Sequence, residues 1–123
     1  MIGRINQIQN EEIRRGLLVV LFEAGSALRA KTVRSIMDSL NYSTAWEDFL
    51  EHVEYLAGEE LIRVFPNGTE VELNEVQQAK YIAQCKRTNY DSPESEKIML
   101  RIRQRGRRFM EGNDLSVVGV AKS

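Results

Sequence analysis

The chain has 123 residues, 42% of them hydrophobic and 28% charged, with a formal net charge of −1, which suits one domain with one core. A single cysteine, Cys85, and a single histidine, His52, exclude an internal disulfide and the usual cysteine- or histidine-rich metal sites. No apolar run approaches the ~20 residues of a membrane helix, and MIGRINQIQN has no apolar signal-peptide core, so the expectation is a cytoplasmic protein with no membrane contact and no cofactor.

Residues 1–10 read as a polar N-terminal arm with Ile2, Ile5 and Ile8 scattered along it. Asn10 is placed to cap a first helix, with Glu11 and Glu12 set against its dipole. Ile13, Leu17, Val20, Leu21 and Ala24 give that helix one apolar face, and Gly25 stops it. Gly16 inside it costs about 1 kcal/mol against alanine and allows close helix packing. A second helix is predicted from Arg29 to Leu40, with Val33, Ile36, Met37 and Leu40 at helical spacing.

The third helix is the most strongly patterned. Trp46, Phe49, Leu50, Val53, Leu56 and Ala57 form its buried stripe, Ser43 and Thr44 both suit its cap, and Gly58 suits its end. Leu61–Phe65 is predicted as a strand, and Pro66-Asn67-Gly68 as a turn. Thr69–Leu73 can pair back as a short strand, with Asn74 capping a turn of helix through Gln78. Tyr81–Arg87 is predicted as a strand, placing Cys85 on it, and 88–96 as an exposed loop. Lys97–Arg103 alternates as an amphipathic strand with Ile98, Leu100 and Ile102 inward. A last helix over 104–111 buries Phe109 and stops at Gly112, and the tail 113–123, which shows no packing pattern, is expected to be flexible or held by a partner.

Helix, helix, helix, strand and a further hairpin is the order of a winged helix-turn-helix, and two segments carry the resemblance. EYLAGEELIRV (54–64) resembles the end of the recognition helix in marR- and ArsR-like regulators, with Glu59-Glu60 inserted before Leu61-Ile62. LRIRQRGRRFMEG (100–112) resembles the closing strand and helix of the same domains; Gly106 and Glu111-Gly112 match, and Gln104 replaces the usual threonine. The chain looks most like small regulator-like winged-helix proteins of Mu-like bacteriophages and prophages, over about residues 11–112. The resemblance implies an α+β, mainly α fold: a three-helix winged helix-turn-helix with a β-hairpin wing and a short C-terminal helix. It also implies a bacterial host cytoplasm.

Function rests on charge. No glycine-rich phosphate loop, nucleophile elbow or spaced Cys/His set is present, so the chain reads as non-enzymatic. Between residues 35 and 62 there is no lysine or arginine, and Glu47, Asp48, Glu51 and Glu54 line the outer side of the third helix. As a metal or acid–base cluster these acids compete with the plainer reading of a solvated helix face. His52 reads as a surface or boundary residue. Acids repel the phosphates that surround a helix in the major groove. The expected nucleic-acid contacts are therefore the basic wing and final helix: Arg101, Arg103, Arg105, Arg107, Arg108, and Lys86 and Arg87 on a partner strand. The same arginines also suit a solubilising role, paired with Glu94 and Glu96. The partner expected is double-stranded DNA, for a regulator or packaging accessory. The alternative is a protein-interaction or assembly module that meets a phage or host protein, or a second copy as a homodimer, through Glu47, Asp48, Glu51 and Glu54.

Overall fold

The computed structural model describes residues 2–69 and 72–122. Along them run α1 (Ile2–Ala24), β1 (Leu28–Arg29), α2 (Ala30–Ser39), α3 (Trp46–Gly58), β2 (Ile62–Pro66), α4 (Glu75–Arg87), a short 3-10 helix (Pro93–Lys97), β3 (Ile98–Ile102) and α5 (Gln104–Met110). The architecture is α+β and mainly helical, with a three-stranded antiparallel sheet in the order β1-β3-β2.

Strand periodicity decides which residues face the helices. Leu28 and Val64 both lie opposite Leu100, and Ile62 lies opposite Ile102. With Ile98 they form the inward face, and they join Leu17 and Leu21 of α1, Val33 and Met37 of α2, Phe49, Val53 and Leu56 of α3 and Phe109 of α5 in one cluster. Each large aliphatic side chain buried there contributes roughly 1.5–3 kcal/mol. The core predicted from the α3 stripe and from the β3 alternation is the core observed. Gly16 does permit a close approach: a Cβ there would lie 2.6 Å from the Tyr42 ring.

The element ends depart from expectation for identifiable reasons. α1 starts at Ile2, so the expected arm is helical from that residue and Asn10 is interior rather than a cap. The apolar stripe marked only the packed portion of a longer helix. In α2 Ile36 and Leu40 remain 37% and 47% exposed, because the core reaches only Ala30, Val33 and Met37. Ser43 and Thr44 do not cap α3; Ala45 is the N-cap residue, and the Ser43 hydroxyl donates to Asp38 instead. Glu47 and Asp48 sit in the first turn, where the helix dipole favours acids.

Gly58 does not end α3 by a left-handed turn. The left-handed residue is Glu60 (φ 62°), with Leu61 N–H donating to Leu56 O (3.0 Å) and Glu60 N–H to Ala57 O (3.0 Å). That is a Schellman pair, in which the residue two beyond the cap packs on the last buried turn. α2 and α5 end the same way, at Asn41 (φ 68°) and Gly112 (φ 80°). Three helices thus satisfy their last carbonyls by one device, and in α3 a β-carbon carries the strain.

The section between β2 and β3 was read least well. Tyr81–Arg87 is the second half of a helix, not a strand, so Cys85 is buried on α4. Asn74 Oδ1 accepts from Gln77 N (2.8 Å) and Gln77 Oε1 accepts from Asn74 N (3.0 Å), a complete capping box that starts α4. The expected strand Thr69–Leu73 lies partly outside the described residues, at 70–71; Thr69, Glu72 and Leu73 belong to no strand. α4 lies on α3 and on β2, with Ile82 and Cys85 buried. β2 is an edge strand, and α4 blunts it: Gln78 Oε1 accepts from Val64 N (2.9 Å).

The tail is also packed. Val117 and Val120 are 2% and 4% exposed, Ala121 N donates to Glu11 O (3.0 Å), and Tyr55 Oη donates to Val118 O (2.9 Å). Its two buried valines are only three residues apart, too short a run to establish a period, so no periodic signal marked them.

Two substitutions test this account by chemical denaturation. Glu60→Gly is expected to stabilise the fold by about 1 kcal/mol, because glycine takes the left-handed conformation without the β-carbon clash. Gly106→Ala is expected to destabilise by roughly 1–3 kcal/mol, since its Cβ would lie 2.4 Å from the Leu61 carbonyl oxygen.

Candidate nucleic-acid interface

The residues that point away from the core on β1, β2 and β3 share one face of the sheet. Arg29 and Phe65 both lie opposite Met99, and Arg63 lies directly opposite Arg101. Arg103 follows two residues later, as the N-cap residue of α5. Four guanidinium groups and one aromatic ring therefore occupy the outer side of a three-stranded sheet. The Arg101 guanidinium stands 5.7 Å from the centre of the Phe65 ring.

Acids from the start of α4 and the residues before it reach over this face. Glu72 Oε1 is 2.5 Å from Arg63 Nε and 3.7 Å from Arg101 Nη2, and Glu75 Oε1 is 3.6 Å from Arg103 Nη1. Arg63 Nη1 also donates to Leu73 O (3.5 Å). Between them lies a cleft of about 320 Å³, lined by Arg63, Phe65, Thr69, Glu72, Gln78 and Arg101 among others.

Of the basic residues expected to contact nucleic acid, Arg101 and Arg103 lie on this face. Lys86 and Arg87 do not share a hairpin with them, because they sit in the last turn of α4. Lys86 Nζ is 3.1 Å from Glu51 and 2.9 Å from Glu54 of α3, and those two carboxylates hold its pKa above the ordinary value. Arg105 is drawn to the tail: it donates to the Glu59 carbonyl and to Ser116 Oγ (3.2 Å) and pairs with Asp114 (3.5 Å). Arg107 is half-buried and Arg108 exposed on α5. The solubilising alternative had the wrong partners, since the arginines meet Glu72, Glu75 and Asp114, while Glu96 pairs with Lys31 (2.8 Å). Sequence reading missed Arg63 and Phe65. The signal was there in the inward Ile62 and Val64, which force their neighbours outward.

The acids expected to meet a protein, Glu47, Asp48, Glu51 and Glu54, are all exposed on α3. Asp48, Glu51 and Glu54 border a groove of about 620 Å³ between α1 and α3, which Ile13, Arg14, His52 and Tyr55 also line. His52 is buried rather than a boundary residue. Its Nδ1 accepts from Arg14 Nε (3.3 Å), which requires a deprotonated Nδ1 and so a neutral ring. Arg14 is itself fixed by the Gly119 carbonyl (2.9 Å) and by the Tyr55 ring, 3.8 Å from its guanidinium carbon. Burial first, and then the Arg14 charge, lower the His52 pKa, against smaller opposing effects of Asp48 and Glu51.

Among the described residues no helix is long and apolar enough to cross a membrane. Comparison of the chain with protein-family models, with curated proteins and with solved structures finds no match.

The lowered His52 pKa has a consequence for stability. The unfolded chain takes up a proton near the ordinary histidine value of 6.5 before the folded chain does. Stability contributed by the neutral ring is full above that pH and falls as pH drops from it toward the lower folded value. Thermal midpoints measured from pH 7.5 down to 5 are expected to fall less steeply in His52→Gln than in the parent chain. Parallel slopes would show that His52 is not buried neutral.

Proposed function

We propose that the chain is a winged helix-turn-helix domain that binds nucleic acid along its phosphate backbone, through the outer face of the sheet and not through α3. The order α1-β1-α2-α3-β2, followed by β3 beside β2 in the sheet order β1-β3-β2, supports the winged-helix reading, with α4 and a 3-10 helix standing between β2 and β3 in place of the expected hairpin loop. In such a domain α3 stands where a groove-reading helix would stand. Here two features speak against that use. Its outer side carries Glu47, Asp48, Glu51 and Glu54, which phosphates repel. In addition, α4 lies alongside it. Helices pack with axes about 8–10 Å apart, so a packed pair is wider than the ~12 Å major groove that admits one helix.

The observation that carries the proposal is the placement of Arg29, Arg63, Arg101 and Arg103 on one sheet face beside Phe65. Arginine forks match phosphate oxygens, and about four phosphate contacts give a log-log salt slope near −3 to −4 on duplex DNA. Fluorescence anisotropy with a nonspecific 20-base-pair duplex, at low and moderate salt, measures it. Arg63→Ala with Arg101→Ala is expected to weaken binding by about tenfold or more and to flatten the slope by about 2. Equal affinity and slope in parent and double variant would overturn the proposal.

A second reading is favoured by Glu47 and Asp48, which form no ion pair among the described residues and stand at the mouth of the α3 helix. On that reading the acidic side of α3 docks a basic protein surface, with charge complementarity selecting the partner.

A further inference from the structure

We infer that the Arg63–Arg101 cleft is a phosphate-binding site whose resident ligand is Glu72, and that nucleic acid must displace this carboxylate, with Glu75 playing the same part at Arg103. The inference rests on the nucleic-acid reading above and names how that site is regulated.

Arg63 and Arg101 are directly opposed on neighbouring strands. Like charges in that position destabilise a sheet unless something lies between them. A single oxygen does: among the described residues, Glu72 Oε1 is the carboxylate atom that reaches both guanidinium groups, at 2.5 and 3.7 Å. A phosphate oxygen bridging two arginines would make the same pair of charge-assisted contacts. Glu72 therefore occupies the position of the ligand and satisfies the site in its absence.

The way Glu72 is held makes exchange cheap. Its side chain is 58% exposed, and an exposed ion pair contributes little to stability. α4 does not need it, because the helix is started by the Asn74–Gln77 capping box. Nor does the edge of β2, which Gln78 covers. Withdrawal of Glu72 leaves both devices in place and opens the cleft.

Arg103 supplies an independent sign of the same design. Among the described residues its Nη1 is buried without a hydrogen-bond partner, since Glu75 stops 3.6 Å away. A buried guanidinium nitrogen without an acceptor is costly to keep. An oxygen brought closer than Glu75 would remove that cost, and a backbone phosphate contacting Arg101 has its neighbours within reach. The three arginines and two carboxylates thus form one guarded strip along β2, β3 and the start of α5.

The test is the affinity of carboxylate variants for the nonspecific 20-base-pair duplex in low salt, with circular dichroism melting to confirm folding. Glu72→Gln with Glu75→Gln is expected to bind about three- to tenfold tighter than the parent chain and with a steeper salt slope. Glu12→Gln with Glu23→Gln, two exposed α1 substitutions, removes the same two charges, so the gain is measured against it. If Glu72→Gln with Glu75→Gln binds no tighter than that control while Arg63→Ala with Arg101→Ala binds more weakly than the parent, the guarding role is wrong and the nucleic-acid reading stands. If no variant and no parent chain binds the duplex, both fall.

Discussion

β3 is hydrogen-bonded on both sides, and its two faces cannot be exchanged. Ile98, Leu100 and Ile102 meet the helices. A slip of one residue would turn Met99, Arg101 and Arg103 inward and bury guanidinium groups without partners. The register with β2 carries this constraint across: Val64 must face inward with Leu100, so Arg63 faces outward with Arg101. The register with β1 does the same for Arg29. The basic face is in this sense a by-product of the core, fixed by the same alternation that buries the isoleucines. Gly106 secures its far end, since only a residue without a β-carbon lets α5 approach the Leu61 carbonyl so closely.

The segment between β2 and β3 changes what the neighbouring elements can do. α4 covers the edge of β2 through Gln78, which protects a strand that would otherwise offer unpaired backbone groups to another chain. It also lies against α3 and places Lys86 over Glu51 and Glu54, so part of the acidic side of α3 is neutralised from within. Its first residues carry Glu75, and Glu72 precedes its cap, so both reach the arginines of the sheet. One segment thereby closes an edge, widens α3 beyond a single helix and sets acids against the basic face.

Much of the fold was legible because its strongest signals are local. The α3 stripe from Trp46 to Ala57, the β3 alternation and Phe109 in α5 each reflect burial on one face, which period alone reveals. α4 was not legible as a helix over its full length because its buried residues are Gln78, Ile82 and Cys85, a polar side chain among them. Gln78 is inside for a reason that a pattern cannot show, its bond to Val64 N. His52 misled in the same way: flanked in sequence by Glu51, it is buried because Arg14, remote in sequence, lies against it. Of the basic site, Arg101 and Arg103 could be found from one strand. The outward turn of Arg63 was legible from Ile62 and Val64, but its place opposite Arg101 was not, because that comes from the register between two strands separated by α4.

A net charge of −1 conceals this arrangement, and so does counting arginines. What a partner senses at long range is the sum of each cation with its nearest acid, and Glu72 and Glu75 cancel much of the field of Arg63, Arg101 and Arg103 beyond a Debye length of about 10 Å. On the proposed reading, long-range steering toward a polyanion would therefore be weak, and binding would rest on arginines freed at close range to make charge-assisted hydrogen bonds. Arginine contacts to phosphate oxygens would then fix the domain on the duplex and carry no sequence information themselves. Sequence preference would have to come from base edges reached by the strands, from DNA shape, or from a second protein that the acidic side of α3 holds in place.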